Sequence, residues 1–520
     1  MKYFISLSTV FLCVLTVFSQ TTFQSSDRPT VVVKPLNPDS LYNSGVDKFT
    51  RLQDYNGAIL DYSKAIAINP RSVDYLIARG MAKGAVQDYN GAVIDFTKAI
   101  EIDPKSTEAY SNRGIAKIYM EDYLGAIQDY TKAISLNPSN ANAFYNRGVA
   151  KNDFQDFNGA IADFTRVIQL NPQNALAFYN RAMAKDGAKD FKGALTDFNK
   201  SIELDPNSAD TFNKRGLTKS HLTDNRGALQ DYSKAIDINS RHEDAFLNRG
   251  NIRTVLDKYR DAIYDFNTAI QFNERNAKAY YGKGVAEIYL AKYDDAVVDF
   301  TMSVEINPQY TEAYIRRGIA KGSLQDYPGA ILDFSKAIEI DPRSAEAYYN
   351  RGVAKNSKDA IEDFNKAIEL KPVFSEAYIR RGIAKGLLKN NKEAIADFNK
   401  AIDINPKQAD AYYNRGVAKD EMNEVSAAIA DYTSSIELNS KNSKVHYNRG
   451  IARVKLKFYN EALLDFNKAI ELTPDYAAAY FNRGLVKFKL NNKNSACNDL
   501  TKAKELGHVD NFSVIRYPCE

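Results

Sequence analysis

A glycine returns every 34 residues: Gly80, Gly114 and Gly148 begin a regular series that runs on to Gly484. The slot is filled by Gly45, Gly80, Gly114, Gly148, Ala182, Gly216, Gly250, Gly284, Gly318, Gly352, Gly382, Gly416, Gly450 and Gly484, fourteen copies separated by one interval of 35, one of 30 and eleven of 34. Self-similarity of this kind marks a solenoid. A chain of 520 residues would otherwise suggest roughly three or four globular domains. A repeat array is expected instead to form one elongated body in which each unit touches its neighbours.

Each repeat reads as two helices. Around Gly114, the residues Tyr110, Gly114 and Ala116 share one side of a first helix, and Asp122 with Tyr123 marks a turn. Ala126, Tyr130 and Ala133 then recur at three- and four-residue steps on a second helix, which Asn137 and Pro138 end. Small residues at the slot and at Ala126 leave room for the rings of Tyr110 and Tyr130 between the two helices.

An aromatic before the Gly, a Tyr near the turn, then Ala, aromatic, Ala and Pro at these spacings resemble the tetratricopeptide repeat, over about residues 39–507. The resemblance implies an all-α fold, an α-solenoid of tandem helix-turn-helix units forming a right-handed superhelix, in which first helices line a concave groove. It also implies a secreted bacterial type of array that mediates protein–protein contacts.

The departures from the family pattern are charged. Arg replaces the large apolar residue before the Gly in twelve copies, and Lys or Arg stands three residues after the Gly in thirteen. An Asp precedes the second helix's aromatic in all fourteen, from Asp61 to Asp499. Arg147 and Lys151 lie on one helix face, and an antiparallel second helix brings Asp163 opposite them. This predicts an ion-pair ladder along the seam; the alternative is solvated charges whose stems cover apolar surface.

Two residues before the Gly lies a position that points into the groove in such arrays. It is Asn43, Asn112, Asn146, Asn180, Asn248, Asn350, Asn414, Asn448 or Asn482 in nine copies. An amide offers a donor and an acceptor, so a row of them suits the backbone of an extended peptide. The row is similar to the asparagine ladder of the O-linked N-acetylglucosamine transferase array; the alternative is that the amides bridge neighbouring helices internally. Arg316 and Arg380, with Lys214, occupy the same slot and resemble part of a carboxylate clamp. Beside them run Tyr145, Tyr179, Tyr349, Tyr413, Tyr447 and Phe481, either pocket walls or packing between first helices.

Residues 1–19 read as a secretory signal peptide, with Lys2 before an apolar run from Tyr3 to Phe18, and the alternative is a retained anchor. Residues 20–38 hold Pro29, Pro35 and Pro38 and read as an extended linker; residues 508–520 form a tail. Export to the periplasm or beyond leaves Cys497 and Cys519, expected to pair and tie the tail to the last repeat, with two free thiols as the alternative.

Net charge is +4, with 69 Lys and Arg against 65 Asp and Glu, which provides no field to hold a nucleic acid. The four histidines are scattered, no metal-ligand spacing or phosphate loop occurs, and the acids recur once per repeat as scaffold residues do. The expectation is a non-enzyme without cofactor or metal. It binds a protein or peptide in the groove or, alternatively, serves as an envelope assembly component through its outer surface. Two irregularities stand out: four residues are missing between Gly352 and Ala360, and Asn251–Ile306 departs most from the pattern, with Glu287 in the basic slot.

Overall fold

The computed structural model describes residues 37–355 and 357–508. The expected signal peptide, the linker before residue 37 and the Cys497–Cys519 bridge, which needs Cys519, lie outside the described residues. Within them the chain forms twenty-eight α-helices and no strand, from α1 (Pro38–Thr50) and α2 (Tyr55–Ile68) to α28 (Lys493–Glu505). Odd-numbered helices are the first of each hairpin and even-numbered ones the second. The chain divides into two compact units, Met1–Asp257 and Lys258–Glu520, so the first contains α1–α13 and the second α14–α28.

The hairpin of α5 (Thr107–Tyr119) and α6 (Tyr123–Leu136) shows how sequence sets these elements. Ser106 caps α5, its Oγ accepting from Ala109 N–H at 3.2 Å. The helix ends in a left-handed residue, Glu121 at φ 62°, while Asp122 N–H donates back to Lys117 O at 2.9 Å. Thirteen non-glycine residues take this conformation, one per full-length turn, from Gln53 to Asn491. Asp122 then caps α6, accepting from Gly125 N–H at 2.9 Å.

That cap explains a second glycine position. Asp54, Asp88, Asp122, Asp156, Asp190, Asp224 and Asp326 all sit three residues before a Gly, and a Cβ on that Gly would lie 2.0–2.1 Å from the capping carboxylate. Where the cap is instead Lys258, Lys292, Asn390, Glu424, Phe458 or Asn492, the third residue of the helix is never Gly. The acidic cap and the missing side chain therefore go together.

The core is modular. Ala126, Tyr130 and Ala133 of α6 pack with Ala143 and Ala150 on α7 (Ala141–Asp153), the first helix of the next hairpin. The slot glycine is the contact point of each hairpin: a Cβ on Gly114 would meet Cζ of Tyr130 at 2.8 Å, and one on Gly148 would meet Phe164 at 2.9 Å. Ala182, in the same slot, is buried beside Phe198, so this close approach stretches to one methyl.

The clipped repeat keeps its register. Its first helix, α19 (Ala345–Ala354), has 10 residues where its siblings have 13, while α20 (Ser357–Leu370) keeps 14. Loss of about one turn preserves the buried face, and Gly352 still faces Phe364.

Candidate functional site

The charged positions form the predicted ladder, with more bonds than two helices alone require. In the first unit Arg147 Nε donates to Asp163 Oδ2 at 2.9 Å and Nη2 to Oδ1 at 2.6 Å, and Lys151 Nζ lies 2.8 Å from Oδ2. The same triad joins Arg79, Lys83 and Asp95, and recurs at Asp129, Asp197 and Asp231. In the second unit it recurs at Asp333, Asp363, Asp397, Asp431, Asp465 and Asp499. The aspartates are buried, and a buried carboxylate is tolerated when paired and fully hydrogen-bonded.

Each arginine has further contacts. Its Nη1 reaches the second helix of the preceding hairpin, as Arg147 does to Thr131 Oγ1 at 3.1 Å and Arg483 to Asn467 Oδ1 at 2.7 Å. Except for Arg79 and Arg449, which follow Leu76 and His446, the guanidinium also lies over the aromatic three residues earlier; Arg147 Cζ is 5.5 Å from the Phe144 ring centre. These charges hold the stack together.

The asparagine row divides by what precedes it. Asn180 Nδ2 donates to Tyr145 Oη at 2.8 Å, Asn448 to Tyr413 at 3.1 Å and Asn482 to Tyr447 at 3.0 Å, each across to the previous first helix. Asn248 makes the same link to Asn213 Oδ1 at 3.0 Å. Asn350 and Asn414 follow Ile315 and Ile379 and bond only to their own helix, at Glu346 O and Asp410 O, 2.9 and 2.7 Å away, a bond that Asn180 and Asn482 also make, to Leu176 O and Ala478 O. Asn112 and Asn146, which follow Ile77 and Ser111, are half-buried on the same face. The internal bridge thus forms wherever the position 35 residues earlier is Tyr145, Tyr413, Tyr447 or Asn213. The amide oxygens of Asn180, Asn448 and Asn482 accept no hydrogen bond among the described residues.

The aromatic stripe is packing. Tyr145 meets Phe164 with ring centres 5.7 Å apart, Tyr179 meets Phe198 at 5.9 Å and Tyr447 meets Phe466 at 5.9 Å. Burial raises the Tyr145 and Tyr413 pKa values above the ordinary phenol, against the lowering effect of their asparagine partners. Arg316 faces Glu346 of the next repeat at 3.3 Å, so the chain's own carboxylate occupies one arm of the imagined clamp; Arg380 is exposed.

Glu287 breaks the ladder. It is buried beside Asp299, which keeps only Lys283, at 3.1 Å, and Glu287 Oε2 has no hydrogen-bond partner. Burial, and then the Asp299 carboxylate, push its pKa up to about 8. Among the described residues no group of three or more His, Cys, Asp or Glu is arranged to hold a metal, and no helix is long and apolar enough to cross a membrane.

Comparison with known proteins agrees with this architecture. Models described as TPR repeat match residues 117–152, 323–358, 387–420 and 452–491. Models described as tetratricopeptide repeat match 153–209 and also 73–106, 409–442 and 477–506. Together the matches span more than half of the chain. No curated protein matches. Among solved structures, YrrB, titled a TPR protein with an unusual peptide-binding site, is 28% identical over 35% of this chain and 95% of that one, with a TM-score of 0.31. A tetratricopeptide repeat protein from Parabacteroides merdae is 20% identical over 48% of this chain and 100% of that one, at 0.40. Yeast Tom70 is 18% identical over 81% of this chain and 96% of that one, at 0.36. Scores of this size carry nothing beyond the repeat itself. With its period, its hairpins and its matched models in agreement, the chain belongs to the tetratricopeptide repeat family, an all-α helical-repeat solenoid.

Proposed function

We propose that the chain is an exported, non-enzymatic scaffold that holds an extended stretch of a protein partner along the face lined by its first helices. Repeats of this family bind protein partners and are typically non-catalytic. The observation that carries the finer reading is the bridged amide. Tyr145, Tyr413 and Tyr447 fix the orientation of Asn180, Asn448 and Asn482 by taking Nδ2, which leaves Oδ1 to accept from a peptide N–H. Packed helices lie roughly 8–10 Å apart. A polyproline II chain advances about 9.3 Å per three-residue turn, so every third residue of such a peptide meets the next repeat.

The test is capture of partner protein by the full chain and by the Asn180→Ala, Asn448→Ala, Asn482→Ala triple variant, with helicity checked by circular dichroism. Within the second unit, the two lost hydrogen bonds of Asn448 and Asn482, at about 0.5–1.5 kcal/mol each, predict a loss of roughly 5- to 150-fold in affinity. Equal capture by a folded variant would refute groove binding.

A second reading, assembly through the outer surface, is supported by one stripe in the second unit. Tyr264, Val298 and Leu332 stand at the same position of three successive second helices and are 66%, 63% and 71% exposed. Capture that survives loss of the amides but is lost in the triple serine variant of this stripe favours that reading.

A further inference from the structure

The first unit contains one place where the rule of the amide row fails and space opens. Tyr42 stands where Tyr145 does, but the residue 36 positions on is Ala78 and not Asn. No amide crosses to the Tyr42 hydroxyl. A pocket of about 170 Å³ lies there, walled by Tyr42, Phe49, Ile77 and Met81, with Asp74 and Glu108 on its lining. Tyr42 is held by stacking on Tyr75, ring centres 5.1 Å apart, and by a tilted contact with Tyr62 at 5.7 Å, so the aromatic wall is fixed in place.

The charge of this pocket is one-sided. The ladder cations of these hairpins are engaged elsewhere: Lys48 with Asp61, Arg79 and Lys83 with Asp95, and Arg113 and Lys117 with Asp129. Neither Asp74 nor Glu108 has an ion-pair partner among the described residues. Both are exposed, yet desolvation by the surrounding protein and then Asp74 raise the pKa of the Glu108 carboxyl. The Tyr42 phenol is raised by burial, then by Asp74 and Glu108. Two carboxylates without a cation, set beside an aromatic ring and an apolar wall, are complementary to a cation on an aliphatic stem.

We propose that this pocket receives a lysine or arginine side chain of the extended peptide partner, with the stem along Tyr42, Ile77 and Met81 and the charged head between Asp74 and Glu108. The proposal rests on the groove reading above and adds to it a preference for basic, apolar segments. A decapeptide extends about 33 Å, enough to reach from this pocket across roughly three further first helices at the packing distances of helices.

The test is fluorescence anisotropy with the full chain and two end-capped, labelled decapeptides, one alternating valine with lysine and one alternating valine with glutamate. The lysine peptide is expected to bind at least tenfold tighter than the glutamate peptide. Asp74→Asn with Glu108→Gln should remove that preference. So should Ala78→Asn, which restores the row's usual residue and fills the pocket. If Asn180→Ala weakens the lysine peptide while the double variant and Ala78→Asn bind it like wild type, the pocket assignment is overturned and groove binding stands. If neither peptide binds the wild-type chain, both readings fall. Equal binding of the two peptides overturns the pocket assignment alone.

Discussion

Replacing Asp163 by Asn removes the one negative charge between two cations held 2.6–2.9 Å from it. The Asp163 side chain is 4% exposed, and those of Arg147 and Lys151 are each 16% exposed, so water has little access to replace the lost partner. An exposed pair would be worth about 0–1 kcal/mol. Breaking a desolvated one by removing a single partner costs about 3–5 kcal/mol, because the remaining charges stay buried. In a repeat array this loss appears as local opening rather than as one global transition. The assay is hydrogen exchange with mass spectrometry on the full chain, following the helices Ala141–Asp153 and Phe157–Leu170. Asp163→Asn should raise exchange there by roughly 100- to 3,000-fold, at about 1.4 kcal/mol per factor of ten. Arg147→Gln should cost less, since Lys151 still neutralises Asp163. The double variant should fall short of the sum by at least about 1 kcal/mol. Additivity within about 0.5 kcal/mol, or an Asp163→Asn cost under about 1 kcal/mol, would refute the view that the ladder is a buried, cooperative element.

At the broken rung, Glu287 ionises near pH 8 in the folded chain against an ordinary 4.5. Its contribution to stability is therefore greatest below the ordinary value and declines as pH rises through 8. Glu287→Gln should flatten that decline between about pH 4.5 and 8 in thermal melts, and Glu287→Lys should add roughly 1–3 kcal/mol near neutral pH by relieving a buried unsatisfied oxygen; an unchanged pH profile in Glu287→Gln counts against the assignment. Gly159→Ala sets a Cβ 2.0 Å from Asp156 Oδ2 and should cost about 1 kcal/mol by dislodging the cap, whereas in an Asp156→Ala background the same change should be neutral or stabilising through helix propensity. Urea melts of the four combinations decide this, and an equal Gly159→Ala cost with and without Asp156 would refute it.

The parts of this fold legible in sequence are those that every repeat repeats. Gly114 and Tyr130 announce a hairpin contact because one is small and the other large at a fixed spacing, and Arg147, Lys151 and Asp163 announce a triad because helix geometry brings these offsets together. The asparagines were legible as a row but not in their partners. Whether an asparagine reaches across, as Asn180 does and Asn350 does not, depends on Tyr145 or Ile315 in the preceding repeat, a relation that no single repeat contains. The left-handed turn residues were hidden because Gln155, Lys189, Thr223 and Ala291 share no chemistry, only a backbone requirement. Ala78 is an exception within the row whose meaning depends on Tyr42, one repeat earlier. The serines, threonines and asparagines that accept from each arginine, such as Thr131 and Asn467, carry no signal within their own repeat, since their partner lies one hairpin further on.

That last set of bonds gives each compact unit a direction. Every arginine reaches back to the hairpin made before it, as Arg147 does to Thr131 and Arg181 to Thr165, so the group that receives each bond has already been synthesised. A chain emerging from the ribosome can close each rung as soon as its own hairpin is out, without waiting for later sequence. Among these bonds, trimming the array from its trailing end frees only hydroxyl and amide acceptors, which water readily serves, while trimming from its leading end frees the Nη1 arm of an arginine whose other arm still holds the aspartate of its own hairpin.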